Sequence, residues 1–173
     1  MSTETVFRIH LVLGYVAWLL CFGVYMMPRL KAMDRVEAQR AIATLHSFRF
    51  FGLAFIVPGV VGLDLPIGFA TFAAFAAYAD LATGVLAMLA LLTVRIRQFF
   101  WLFVVAFNLV GAIDIIVDYY HATMADLPAH AQEFGALYWV PIIYVPLLMI
   151  THFTAFYLLW RPKPETAGAL ATT

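Results

Sequence analysis

Asn108, Gly111, Asp114, Asp118 and His121 recur at helical spacing inside one apolar run, NLVGAIDIIVDYYHATM. At about 100° per residue, Gly111, Asp114, Asp118 and His121 fall within an arc of roughly 80°, with Asn108 about 60° to one side. Carboxylates, an imidazole and an amide on one helix stripe could ligate a metal, orient a haem-binding imidazole, hold a cationic ligand or pass a proton. A further carboxylate, Asp80, stands in FAAFAAYADLATGVLAM. It shares a face with Thr83 and Gly84, in a run whose small residues let neighbouring backbones approach closely. Brought together in a low-dielectric interior, Asp80 and Asp114 could share a proton, bind a cation or serve as acid and base. The same residues also suit plainer roles: Asp118 and His121 as interfacial groups at a helix end, and Asp80 and Asp114 as structural hydrogen-bonding groups.

The other histidines differ in promise. His10, in FRIHLVLGY, lies at the depth expected for Asp118 and His121 and could ligate a metal or haem. His152, flanked by Thr151 and Thr154, reads as a satisfied core histidine, and His46 and His130 read as solvent-facing. The single cysteine, Cys21, cannot form an intrachain disulfide, and HExxH, CxxC and phosphate-cradling glycine motifs do not occur. Hydrolase and nucleotide chemistry therefore have no motif support.

The elements that must position these residues are set by composition. Of 173 residues, 65% are hydrophobic and 12% charged. Soluble domains carry roughly twice that charge, so the chain is expected to be an all-α, polytopic membrane domain over 1–162. Five apolar runs match the length that crosses a hydrocarbon core of about 30 Å: 7–27, 48–65, 71–94, 99–120 and 137–160. The first meets PRLK instead of a small-residue cleavage site, so it reads as a membrane helix and not a signal peptide. Between the first two runs, 30–47 is too charged to cross. Asp34 and Glu37 have capping-box spacing there, and Leu30, Met33, Val36 and Ile42 form an apolar stripe, so a helix lying on the cytoplasmic surface is expected. By composition, residues 163–173 are expected to be a disordered tail.

Basic residues near helix ends resist translocation. An N-out, C-in topology puts Arg29, Lys31, Arg35, Arg40, Arg49, Arg95, Arg97, Arg161 and Lys163 on the cytoplasmic side, leaving Arg8 outside. An inner-membrane location follows, with the lipid bilayer as the main partner. Zero net charge and the lack of a basic cluster interleaved with aromatics argue against nucleic acid. Tyr119, Tyr120, Tyr138 and Trp139 at one boundary and Phe99, Phe100, Trp101 and Trp160 at the other are ordinary interfacial belts. Pro146, deep in the last run, could open a kink toward the acidic stripe.

Two stretches resemble known families. HLVLGYVAWLLCFGVYMMPRL, residues 10–30, is similar to the first helix of HemJ-type protoporphyrinogen oxidases and their CopD-like relatives. That resemblance implies haem binding at His10, although the chain has five expected helices against that family's four and no intramembrane lysine. YWVPIIYVP, in the last run, resembles the proline spacing of the EXPERA group of sigma-2-type receptors and sterol isomerases. This second resemblance implies intramembrane acids that bind amine or sterol-like ligands.

Together these readings give an outward-opening polar pocket. Asp80 and Asp114 form its floor and are the catalytic candidates; Asn108 is a wall, with Asp118, His121 and His10 at the mouth. Haem or a metal is the first expected occupant, with His10 and His121 as haem ligands and His10, Asp114, Asp118 and His121 as metal candidates. The alternatives are a small hydrophobic or cationic ligand in a lipid-, sterol- or amine-binding protein or isomerase, and a structural subunit whose stripe docks a membrane protein partner.

Overall fold

The computed structural model describes residues 1–61 and 69–161. The end of the 48–65 run and the 163–173 tail lie outside the described residues. Among those described, the chain is all-helical, with six α-helices and no strand. Four helical stretches are long and apolar enough to cross a membrane: Thr3–Ala32, Phe72–Leu92, Arg97–Met124 and Val140–Trp160.

The first begins as α1, Thr3–Cys21, where the Ser2 hydroxyl accepts the Thr5 N–H and Glu4 pairs with Arg8 at 2.7 Å. Both groups stabilise the electropositive helix start. A π-turn, Phe22–Met26, leads without a break into α2, Met27–Ala32. PRLK therefore continues the helix: Pro28 has no N–H to give the preceding turn, and the π-turn just before it absorbs that irregularity. Leu13, Leu19, Leu20 and Val24 are more than half exposed and give this rod an apolar outer face.

The next segment departs from expectation. Asp34 caps α3, Arg35–His46, by accepting the N–H groups of Val36 and Glu37 at 2.8 and 3.1 Å. Instead of reaching back to complete the box, Glu37 pairs with Arg40 at 2.5 Å. One face of this helix packs into the bundle, while the side chains of Glu37 and Arg40 stay half-exposed on the other. Ala38, Gln39, Ile42, Ala43 and His46 are all buried, and Gln39 Nε2 donates to Ala155 O at 2.9 Å. After His46 the chain tightens into a 3-10 helix, Ser47–Ile56, over the first part of the 48–65 run. Three residues per turn put Arg49, Gly52 and Phe55 on the inward face, while Phe48 and Phe51 stack on the outward face, 6.1 Å apart.

This 3-10 helix packs on α4, Phe69–Leu92. At Gly84 an added Cβ would lie 3.3 Å from Phe50 N, so the glycine permits the close approach. A four-residue turn, 93–96, returns the chain through α5, Arg97–Met124. A connection containing a kinked 3-10 stretch, Leu127–Tyr138, follows, with Gly135 at φ +49°, a conformation suited to glycine. A π-turn, Val140–Tyr144, then opens α6, Val145–Trp160.

Pro146 has no N–H for the Ile142 carbonyl; the Ile142 and Ile143 carbonyls of this irregular stretch face α1, while Val140, Pro141 and Tyr144 line the space beside Asp80 and Asp118. Gly14 sits so close to Ile142 O that a Cβ would overlap it, and Trp18 Nε1 donates to Ile143 O at 2.8 Å. At one end of the bundle Arg161 Nη1 donates to Lys31 O at 3.0 Å, and Arg35 donates to Arg161 O. At the other, His10 meets the Tyr138 hydroxyl and His121 stacks on Phe72. Each end has its own apolar core, one around Phe100, Phe107 and Leu158, the other around Phe7, Leu127 and Phe134. Between them, at the midpoints of α4, α5 and α6, lies a polar layer.

Candidate functional site

That layer is built on Arg49, which is 1% exposed. Its place on the inward face of the 3-10 helix aims the guanidinium at α4 and α5. Nε donates to Asp80 Oδ1 at 2.5 Å, and Nη2 pairs with the same oxygen and with Asp114 Oδ2, the latter at 2.5 Å. Nη1 donates to Gly111 O at 3.1 Å and faces His152 Nε2 at 3.2 Å. A guanidinium has five N–H bonds, and each has an acceptor here. Gly52 and Gly111 make room: a Cβ at Gly52 would collide with the Asp80 carboxyl group, and one at Gly111 would stand 2.5 Å from Arg49 Nη1.

The donors fix the protons around them. Because Arg49 can only donate, His152 Nε2 is the acceptor, and its Nδ1–H donates to Asn108 Oδ1 at 3.0 Å. Asn108 Nδ2 in turn donates to Val104 O at 2.8 Å, which sets the amide orientation. One layer further in, the Thr151 hydroxyl donates to the carbonyls of Leu147 and Leu148, so it accepts from His46 Nε2 at 3.0 Å. The His46 ring packs against His152 with centroids 4.0 Å apart and planes tilted by 32°, and its Nδ1 has no hydrogen-bond partner.

Charge is not balanced in this layer. Asp80, Asp114 and Asp118 stand around one guanidinium, and Oδ1 of both Asp114 and Asp118 is buried without a hydrogen-bond partner. Isolated buried charge is costly, so the two surplus negative charges call for protons or another cation.

Two cavities meet at this point. One, of about 110 Å³, has apolar walls that include Phe55, Phe72, Leu127, Phe134 and Pro141, with Asp80 and Asp118 as its acids. The other, about 30 Å³, is lined by Arg49, Gly52, Asp80, Asp118 and Tyr144, whose hydroxyl also has no hydrogen-bond partner. It has room for about two water molecules. Asp80, Asp118, Val140 and Val145 line both cavities and so form the boundary between them.

The expected residues are thus only partly gathered. Asp80 and Asp114 come together through Arg49, and Asp118 lies beside them on the cavity wall. Asn108 belongs one step away, on His152. His121 stacks on Phe72 at 5.6 Å, next to the wall residue Ala122. His10 stands apart: its Nδ1 is 2.9 Å from the Tyr138 hydroxyl, and its ring lies against Trp139. Among the described residues no set of three or more His, Cys, Asp or Glu is placed to hold a metal, so His10, Asp114, Asp118 and His121 are not gathered into one group. Nor do these contacts place His10 and His121 as a pair of haem ligands.

Three residues were missed. Arg49, counted among the cytoplasmic arginines, is the buried counter-ion, and His46, expected to face solvent, is 0% exposed. Two aspartates deep in apolar runs demand a cation, and Arg49 in HSFRFFG is the basic residue at the edge of such a run, so that requirement was a readable signal. Tyr144 carried no comparable signal.

Residues 6–160 match the model of a domain of unknown function, DUF8737, and the chain belongs to that family. Comparisons with curated proteins and with solved structures gave no match. They show no resemblance to the HemJ/CopD-like or EXPERA groups.

Proposed function

We propose that this member of the DUF8737 family is a multi-pass inner-membrane protein whose outward-opening pocket binds a compact apolar molecule carrying one positive charge. Four long apolar helices support residence in a membrane. A fifth crossing, made by α3 and the 3-10 helix, is supported by the bundle's polarity. α3 starts beside Arg161, whereas Phe72 lies beside His121 at the other end. The basic residues gather at the Arg161 end, which favours N-out, C-in.

The observation that carries the ligand reading is the floor of the 110 Å³ cavity. Apolar walls exclude water, and Asp118 presents a carboxylate oxygen without a partner beside Asp80. Arg49, with every N–H engaged, has no donor left to neutralise it. The volume suits a ligand of about benzene size. Haem or a metal finds less support, because His10 is engaged by Tyr138 and the acids cluster on Arg49. Acid–base isomerisation is a second reading, favoured by two carboxyl groups, Asp80 and Asp118, on one apolar cavity.

Titration calorimetry of the detergent-purified protein with benzylamine and with benzyl alcohol tests the proposal. The amine is expected to bind at least about tenfold more tightly, a difference of about 1.4 kcal/mol. Equal affinities, or no binding of either, would refute it.

A further inference from the structure

We infer that the pocket exchanges a proton for its ligand, releasing about one proton to solvent for each cation bound; this rests on the cation-binding reading above. The charged and titratable groups that face the site are few. The 3-10 helix contributes Arg49, α4 contributes Asp80, and α5 contributes Asp114 and Asp118, with Tyr119 and His121 toward the mouth. Tyr144 and His152 come from the π-turn and α6. α1 reaches the site through Tyr15, whose hydroxyl bonds that of Tyr119 at 2.7 Å.

Arg49 is the fixed cation of this set. His152 accepts from Arg49 through Nε2, so a proton there would break that bond and set two cations side by side. The tyrosines are neutral hydroxyls. Three carboxyl groups therefore share one guanidinium, and the empty site reaches neutrality by holding two protons among them.

Asp114 is 3% exposed and bound to Arg49, whereas Asp118 and Asp80 face the cavity. An ammonium group entering there replaces one of those protons. A carboxylic acid and R–NH3+ become a carboxylate paired with R–NH3+, and H+ leaves to solvent. No covalent bond to the ligand forms, and the net charge of the site is unchanged.

Calorimetry of the whole purified protein with benzylamine, in phosphate and in Tris at the same near-neutral pH, separates the two claims, because the ligand stays protonated throughout. Release of about one proton makes the observed enthalpy differ between buffers by the difference in their ionisation enthalpies. Affinity should then rise about tenfold per pH unit while the proton is being displaced. Benzylamine binding with the same enthalpy in both buffers and an affinity independent of pH would overturn proton exchange and leave the pocket standing. Failure of benzylamine to bind would remove the pocket reading, and this inference with it.

Discussion

Arg49 decides the chemistry of the bundle interior. A buried arginine survives only with partners, and here Asp80, Asp114, Gly111 and His152 supply them. Removing one member of such a set leaves bare charge behind, which costs about 3–5 kcal/mol, whereas removing all of it costs much less. Arg49→Leu is therefore expected to lower the thermal stability of the purified protein sharply. The triple variant Arg49→Leu, Asp80→Asn, Asp114→Asn should recover most of the loss; a triple variant as unstable as the single one would contradict this pairing. The aspartates were legible from sequence because helical periodicity places Gly111, Asp114 and Asp118 on one stripe. Arg49 was only half legible: the acids called for a cation, but Arg35 and Arg40 precede it in the same charged segment, and position alone does not separate a solvated arginine from one that has entered the core.

At the scale of elements, the 3-10 helix Ser47–Ile56 does what an α-helix could not. Its period of three stacks Arg49 over Gly52 on the face toward α4, and the bare Gly52 backbone lets the Asp80 carboxyl group lie against it. Gly52→Ala should push that carboxyl group off Arg49 at a cost of about 1–3 kcal/mol, read as a lower unfolding midpoint in detergent; an unchanged midpoint would mean the contact is slack. The long apolar helices were readable from run length alone. α3 was misjudged because its buried face carries Gln39 and His46, which look like surface residues until Ala155 O and Thr151 appear as their partners. Hydropathy registers the polarity of a side chain and not whether another helix satisfies it.

For the molecule as a whole, two apolar cores sandwich a polar layer, and the larger of the two cavities at Asp80 and Asp118 lies toward the end opposite the arginines of α2 and α3. In a Cys21→Ala background, Ser2→Cys should react with a membrane-impermeant maleimide in intact cells, and Glu37→Cys only after lysis. The reverse pattern would invert the topology and turn the cavity inward. The cavity's purpose is tested most directly by benzylamine titration of Asp118→Asn beside the unaltered protein. An amide of the same shape keeps the wall but removes the charge, so affinity should fall at least about tenfold. Unchanged affinity in a folded Asp118→Asn protein would show that the carboxylate does not hold the ligand.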